Sequence, residues 1–307
     1  MLKRPIQPML LSVKEEPFNS EDYLFEFKWD GFRSLLFKDD NEIYLQSRNS
    51  NNLTPYFSEL KEIHKLIPKK HVIFDGEICY FSSEQKQDFS VLQKRLRSKK
   101  KSVKKKYKTT YIVWDILEVN DTSLYSLPLQ ERKEYLKDTI QQENYLLQIS
   151  PYILHKGKEL YSIASDKGME GIVAKKTDSP YVFARSDYWY KIKIWHYKEV
   201  VIGGYSKNKD FLLVGLNNRS HEPLQSSADL KYMGKVKISL DRAEYKALFN
   251  FLPTLKTEHN PFDERINTHT KNTEWVSPGI NVKVRYTEIT NKNHFRHGYA
   301  VKLLLDD

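Results

Sequence analysis

Through the first two-thirds of the chain, apolar-rich segments of seven to eleven residues recur between polar stretches: YLFEFKW (23–29), RSLLFKD (33–39), EIYLQSR (42–48), HVIFDGEICYF (71–81), TTYIVWDIL (109–117), EGIVAKK (170–176) and WYKIKIW (189–195). They are rich in aromatic and β-branched residues, and several alternate apolar with polar positions, so each is predicted to be a β-strand. Between them lie pieces whose apolar residues recur at three and four positions, which predicts helices over 56–66, 89–96, 129–139 and 160–167. Strands and helices mix without strict alternation, a pattern that predicts an α+β fold with an antiparallel core.

Beyond Trp195 the texture changes. HYKEVVIGGYSKNKDFLLVGL (196–216) reads as short strands broken by Gly, Asn and Ser, with one helical segment at 240–251 and further strands at 280–287 and 299–305. A small β-barrel has this pattern, and the five-stranded oligonucleotide-binding barrel, or OB-fold, is one candidate. A length of 307 residues exceeds the usual span of one hydrophobic core, so two domains are expected, 1–195 and 196–307.

Charge narrows the class of partner. Fifty Lys and Arg against forty Asp and Glu leave a net charge of +10, which points to a polyanion, nucleic acid before an anionic membrane. No run of about 18 apolar residues occurs, and the N-terminus lacks the apolar core of a signal peptide, so no membrane span is expected and the chain is read as soluble and cytoplasmic. The single cysteine, Cys79, sits in an apolar run and reads as packing. The nine histidines show no zinc-ligand spacing. Between 93 and 108, QKRLRSKKKSVKKKYK holds ten Lys or Arg and no acid. Two readings stay open for this run: a solvated loop, or an arm that tracks phosphates without reading bases.

Chemistry concentrates in four places. In FKWDG, a strand continued through Trp29 would put Lys28 and Asp30 on one face. Lysine has a reference pKa near 10.4, so a neutral nucleophile at pH 7 costs about 4.6 kcal/mol, and only a tuned environment offsets that. In FDGEICYF, Asp75 and Glu77 share a strand face suited to a hard divalent cation. Glu170 opens a third strand, followed by Lys175 and Lys176, and in YKIKIW Lys191 and Lys193 share one face. Singly, each has an ordinary structural explanation. Together they outline a pocket for metal and phosphates.

In their order, FKWDGFR, SRNSNNLT, FDGEICYF, YIVWDIL, EGIVAKK and WYKIKIW resemble the nucleotidyltransferase motifs of ATP-dependent DNA ligases; LPLQERK, SPYVFARSDYWYKIK and VIGGY resemble most the bacterial ligase D type. The resemblance spans nearly the whole chain. It implies an antiparallel-sheet nucleotidyltransferase domain followed by an OB-fold, and Lys28 as the residue that takes AMP from ATP before AMP passes to the 5'-phosphate of a nick. Asp30 would help orient the 3'-hydroxyl or a metal. Arg33 and Arg48 match positions that contact the nucleotide or the 5'-phosphate, Lys191 and Lys193 the pair that grips the α-phosphate, Glu26 a position that reads the nucleotide, and Trp114 an aromatic that stacks on adenine. Glu77 and Glu170 match the carboxylates that hold Mg2+ or Mn2+.

The C-terminal tail departs from the pattern. Arg296 and Lys302 remain where a basic motif orients pyrophosphate, but Leu304 and Asp307 stand where further basic residues are expected, and Lys237 replaces a common glycine. The expectation is a monomeric, stand-alone ligase acting in DNA repair on nicked or broken duplex DNA, nucleoid-associated if bacterial, with a Ku-like end-binding protein as one possible recruiter. The rival readings are an RNA ligase or capping-type nucleotidyltransferase, and a non-catalytic DNA-end-binding module.

Overall fold

The computed structural model describes residues 2–84, 86–98, 108–217, 230–264, 266, 272–290 and 292–304. The chain divides into two compact units, Met1–Ile194 and Trp195–Asp307.

In the first unit the strands in chain order are β1 (Leu10–Val13), β2 (Tyr23–Phe27), β3 (Phe32–Asp39), β4 (Glu42–Ser47), β5 (His71–Tyr80), β6 (Thr109–Val119), β7 (Thr122–Ser123), β8 (Leu147–Ile149), β9 (Tyr152–Leu154), β10 (Gly171–Lys176) and β11 (Arg185–Lys193). They form two sheets, one in the order β1-β11-β10-β2-β9 and the other β4-β3-β5-β6-β7 with β8 beside β6. Pairing is antiparallel except for β1 with β11 and β8 with β6. Period-two alternation sorts the side chains. Leu24 and Trp189 from one sheet meet Leu35, Phe37, Ile73 and Leu117 from the other in a shared core. The intervening Leu36 and Phe74 face away, under a 3-10 helix (Ser58–Leu66), α1 (Phe89–Arg97) and α2 (Leu129–Thr139). On the far side of the first sheet, Phe25, Ile172 and Ile192 pack beneath Leu160 and Ala164 of α3 (Gly157–Asp166).

Several boundaries differ from the sequence expectations. β2 stops at Phe27, because the chain leaves one sheet for the other between Lys28 and Gly31. β11 ends at Lys193 rather than Trp195. The segment 56–66 forms 3-10 turns over Ser58–Leu66, where buried Leu60 and Ile63 lie three apart and so match a three-residue turn. α3 begins at Gly157, ahead of the expected 160. The short β1, β7, β8 and β9 carried no alternation long enough to predict. Most of the basic run, 99–107, lies outside the described residues. Arg95 within it is not part of any DNA-facing arm: it is buried on the inner side of α1, donating to the Tyr56 carbonyl at 2.8 Å and to Glu59 at 2.5 Å.

In the second unit the strands are β12 (His196–Ser206), β13 (Phe211–Asn217), β14 (Leu230–Ile238), β15 (Lys256–Thr257), β16 (Thr273–Val276), β17 (Asn281–Tyr286), β18 (Glu288–Ile289), β19 (Phe295–Arg296) and β20 (Tyr299–Leu304). β12 pairs with both β13 and β17, β13 with β14, β14 in parallel with β20, and β20 with β17. These pairings run round a ring of five strands, the connectivity of an OB-fold. Val200, Ile202, Leu212, Val214, Val282 and Val284 fill its interior together with Leu248 and Phe249 of α4 (Arg242–Phe251). Among the described residues no helix is long and apolar enough to cross a membrane.

α4 starts two residues later than the expected 240 because Asp241 caps it. The Asp241 carboxylate accepts from the Glu244 amide at 2.8 Å, and the Glu244 carboxylate accepts from the Asp241 amide at 3.4 Å and the Leu303 amide at 2.9 Å. Asp241→Ala is expected to lower stability by about 1 kcal/mol in urea unfolding, as loss of an N-cap does elsewhere.

Candidate active site

At one end of the apolar core between the two sheets of the first unit, the inner faces turn from hydrocarbon to charge. On the first sheet the face that carries Leu24 and Trp189 continues through Glu26, Lys175, Lys191 and Lys193. On the second, the face of Leu35 and Ile73 continues to Arg33, Asp75 and Glu77. Lys28 to Gly31 crosses from one sheet to the other at this end, and the Lys28 amide donates to the Gly171 carbonyl at 2.9 Å. Lys28 and Asp30 therefore share a crossing, not a strand face. Gly31 makes the crossing tight: a Cβ there would lie 2.3 Å from the Ile78 carbonyl oxygen and 2.8 Å from Cγ of Glu77.

Lys28 is 21% exposed and its ammonium donates to Glu170 Oε2. Lys193 reaches the other oxygen, Oε1, at 3.1 Å. Burial alone would raise the Glu170 carboxyl, but the two lysines hold it below the usual carboxylate range. Lys191 goes the other way. Partial burial lowers it, and repulsion from Lys193, Lys28, Arg185 and Arg48 lowers it further, which places those cations around one space. Arg48 lies in the turn after β4. The Asp30 amide donates to the Gln87 side chain at 2.7 Å.

Glu77 is buried, and its carboxyl is pushed up to about 8 by desolvation, against the pull of Lys28 and Arg33 and with repulsion from Glu170 and Asp30. Asp75, on the same strand face, is held by other side chains. Arg33 grips it with two bonds, 3.0 Å to Oδ1 and 2.6 Å to Oδ2, and the Tyr181 hydroxyl donates to it at 2.9 Å. Asp75 is therefore a partner of Arg33, not the open cation ligand that its spacing from Glu77 suggested. Trp114 stands on β6 with Arg33 5.5 Å and Lys175 5.2 Å from its ring centre, and its indole N–H makes no hydrogen bond. Glu26 is fully buried between Lys133 and Lys175. Arg296 belongs to the second unit, on the β18–β19 hairpin, where it pairs with Glu288 at 3.0 Å.

The donor set fits a nucleoside triphosphate and a divalent cation. Convergent Lys28, Lys191, Lys193 and Arg48 match phosphate charge, and the buried Glu77, with Glu170 and Asp30 near it, offers hard oxygen ligands to a cation. Residues 8–193 match the family described as ATP dependent DNA ligase domain, and 207–307 the ATP dependent DNA ligase C terminal region. The chain belongs to the ATP-dependent DNA ligases.

The ligase is 36% identical over 203 residues to the SPbeta prophage-derived DNA ligase-like protein LigB of Bacillus subtilis, covering 66% of this chain and 72% of that one. It is 27% identical over 286 residues to the multifunctional non-homologous end joining DNA repair protein LigD of Mycobacterium tuberculosis, covering 90% of this chain but 35% of that protein's length. Among solved structures it is similar to mycobacterial DNA ligase D complexed with ATP and MES, at 26% identity and a TM-score of 0.56, covering 98% of this chain and 96% of that one. The ligase domain of M. tuberculosis LigD gives 25% identity and a TM-score of 0.56, covering 97% and 95%. The α+β nucleotidyltransferase fold with a C-terminal OB-fold is thus that of the ligase D type, and enzymes of this family use ATP with a divalent metal.

Sequence reasoning passed over Lys133, Arg132 and Tyr181. Lys133 and Arg132 sit in a polar helix and Tyr181 in a loop, where no periodicity marks burial; the signals available were the LPLQERK and SPYVFARSDYWYKIK motifs themselves. Spacing also hid a contact at the far end of β5, where His71 Nε2 lies 2.9 Å from a buried Glu118 that also accepts the Leu2 amide at 2.8 Å, tying the N-terminal segment to the sheet.

The raised Glu77 carboxyl has a stability signature. Between the unfolded value near 4.5 and about 8, the folded ligase holds a proton the unfolded chain has released, so stability falls as pH rises through that window. In metal-free buffer the Tm advantage of Glu77→Gln over wild type should grow from pH 5 to pH 8. A pH-independent difference in melting curves would contradict the assignment.

Proposed function

We propose that Lys28 attacks the α-phosphorus of ATP, releases pyrophosphate and carries AMP as a phosphoramidate, that AMP then passes to the 5'-phosphate of a DNA nick, and that the 3'-hydroxyl displaces it to seal the strand. The contact between Lys28 and Glu170, set among Lys191, Lys193 and Arg48, carries this reading. Glu170 orients the nucleophilic amine. Lys191, Lys193 and Arg48 bear phosphate charge, and Asp30, beside the nucleophile, helps place the 3'-hydroxyl. Arg33, fixed by Asp75, lies at the wall of the nucleotide site, with Trp114 and Glu26 lining the base. Glu77 and Glu170 would hold a divalent cation, which supplies charge neutralisation on the phosphoryl group in transfer. This chemistry is assigned to the first unit, Met1–Ile194.

The similarity to LigD, a non-homologous end joining DNA repair protein, supports broken duplex ends as a further substrate, with recruitment by a Ku-like end-binding protein. Sealing of cohesive ends, measured with and without such a protein, tests that extension.

Incubation with radiolabelled ATP and a denaturing gel should show a protein–AMP adduct that Lys28→Ala abolishes. Lys28→Arg should not restore it, since a guanidinium stays protonated. Label taken from GTP in preference to ATP would favour a capping-type enzyme instead. An adduct persisting in Lys28→Ala would remove the proposal.

If Arg296 serves pyrophosphate departure, Arg296→Ala should lose ATP-dependent adduct formation by about a hundredfold while still sealing a nick already carrying AMP. Equal loss of both reactions would assign Arg296 to folding or DNA binding.

A further inference from the structure

Both oxygens of the Glu26 carboxylate are engaged, from three different elements. Lys133 of α2 donates to Oε1. Lys175 of β10 donates to Oε2 at 2.9 Å, as does the Ser150 hydroxyl at 3.4 Å. Ser150 Oγ accepts in turn from the Trp29 indole N–H at 3.0 Å, so the network ends on the residue next to Lys28. Lys133 is itself 2% exposed. Its neighbour Arg132 holds Asp115 through two bonds of 2.8 and 2.9 Å and donates to the Ser179 carbonyl at 2.9 Å, which fixes the turn of α2 that carries Lys133.

One ammonium would neutralise Glu26. The second leaves excess positive charge in a buried place, and desolvation, with Lys133 adding to it, pushes Lys175 down to about 8. What the second lysine adds is geometry. A carboxylate held at one oxygen turns about its broad terminal torsion, whereas donors on both oxygens fix its plane. A fixed, ionised carboxylate accepts from an N–H and repels a carbonyl oxygen. Adenine offers an exocyclic amine where guanine offers a carbonyl.

We propose that Lys133 is a positioning residue for base selection, which clamps Glu26 against Lys175 so that the carboxylate accepts the exocyclic amine of adenine and refuses the carbonyl of guanine. This rests on the reading above in which Glu26 and Trp114 line the base.

The test compares wild type, Lys133→Met, Lys133→Gln and Lys133→Arg for adduct formation over a range of ATP and GTP concentrations, with Tm measured in parallel. Loss of one charge-assisted bond corresponds to about tenfold in binding. Lys133→Met should raise the ATP concentration for half-maximal adduct by about that factor, cut the ATP-over-GTP preference similarly and leave the saturated adduct level unchanged. Lys133→Arg should restore the preference. Lys133→Gln, which keeps a donor without the charge, should lose part of it and decides the matter if the methionine variant does not fold. An unchanged ATP-over-GTP preference in an active Met or Gln variant overturns the inference and leaves the function standing. A lowered Tm with equal loss of both nucleotides, not rescued by arginine, also overturns it by making Lys133 purely structural. A wild-type protein that forms no adduct with any nucleotide overturns the function itself.

Discussion

Two sheets of the first unit face each other across a cleft whose inner walls are apolar at one end and charged at the other, and each buried charge must find its partner on a neighbouring strand of its own sheet, in a loop or on an adjoining helix. Arg33 and Tyr181 hold Asp75, Arg132 holds Asp115, Lys133 and Lys175 hold Glu26, and Lys28 and Lys193 hold Glu170. Breaking one such pair would leave its partner charged without water, a penalty of several kcal/mol, so the pairs fix side-chain positions. Glu77 is the exception. Its burial is balanced only in part, and its carboxyl rises to about 8.

That imbalance is where chemistry becomes available. Cations crowded around Lys191 and a buried, partly balanced Glu77 are each unfavourable alone, and an anionic triphosphate with a divalent cation relieves both. A preorganised site of this kind stabilises transferring phosphoryl charge without reorganising at the moment of reaction. The crossing from Lys28 to Gly31 places Lys28 at the charged end, because only a glycine lets the backbone pass against Ile78 and Glu77.

The OB-fold unit follows a separate logic. Its core closes through a ring of strand pairs and is capped by α4. Its polar hairpin carries Arg296 in an ion pair with Glu288, at a place the sequence marked only through resemblance.

By itself the sequence determined the strands with long apolar or alternating runs, such as β3, β5 and β11, the α+β character, the texture change near Trp195, and the ordered set of motifs that identifies a ligase. Those features are local: period, composition and spacing are written in consecutive residues. Only the tertiary structure decided where β2 ends, that Asp75 belongs to Arg33 rather than to a cation, that Arg95 is core rather than part of a basic arm, and that Lys133 meets Glu26 from 107 residues away. Each of these depends on which residues the tertiary fold brings together, and a partner's identity at long sequence separation is set by sheet register and helix docking, which no local pattern contains.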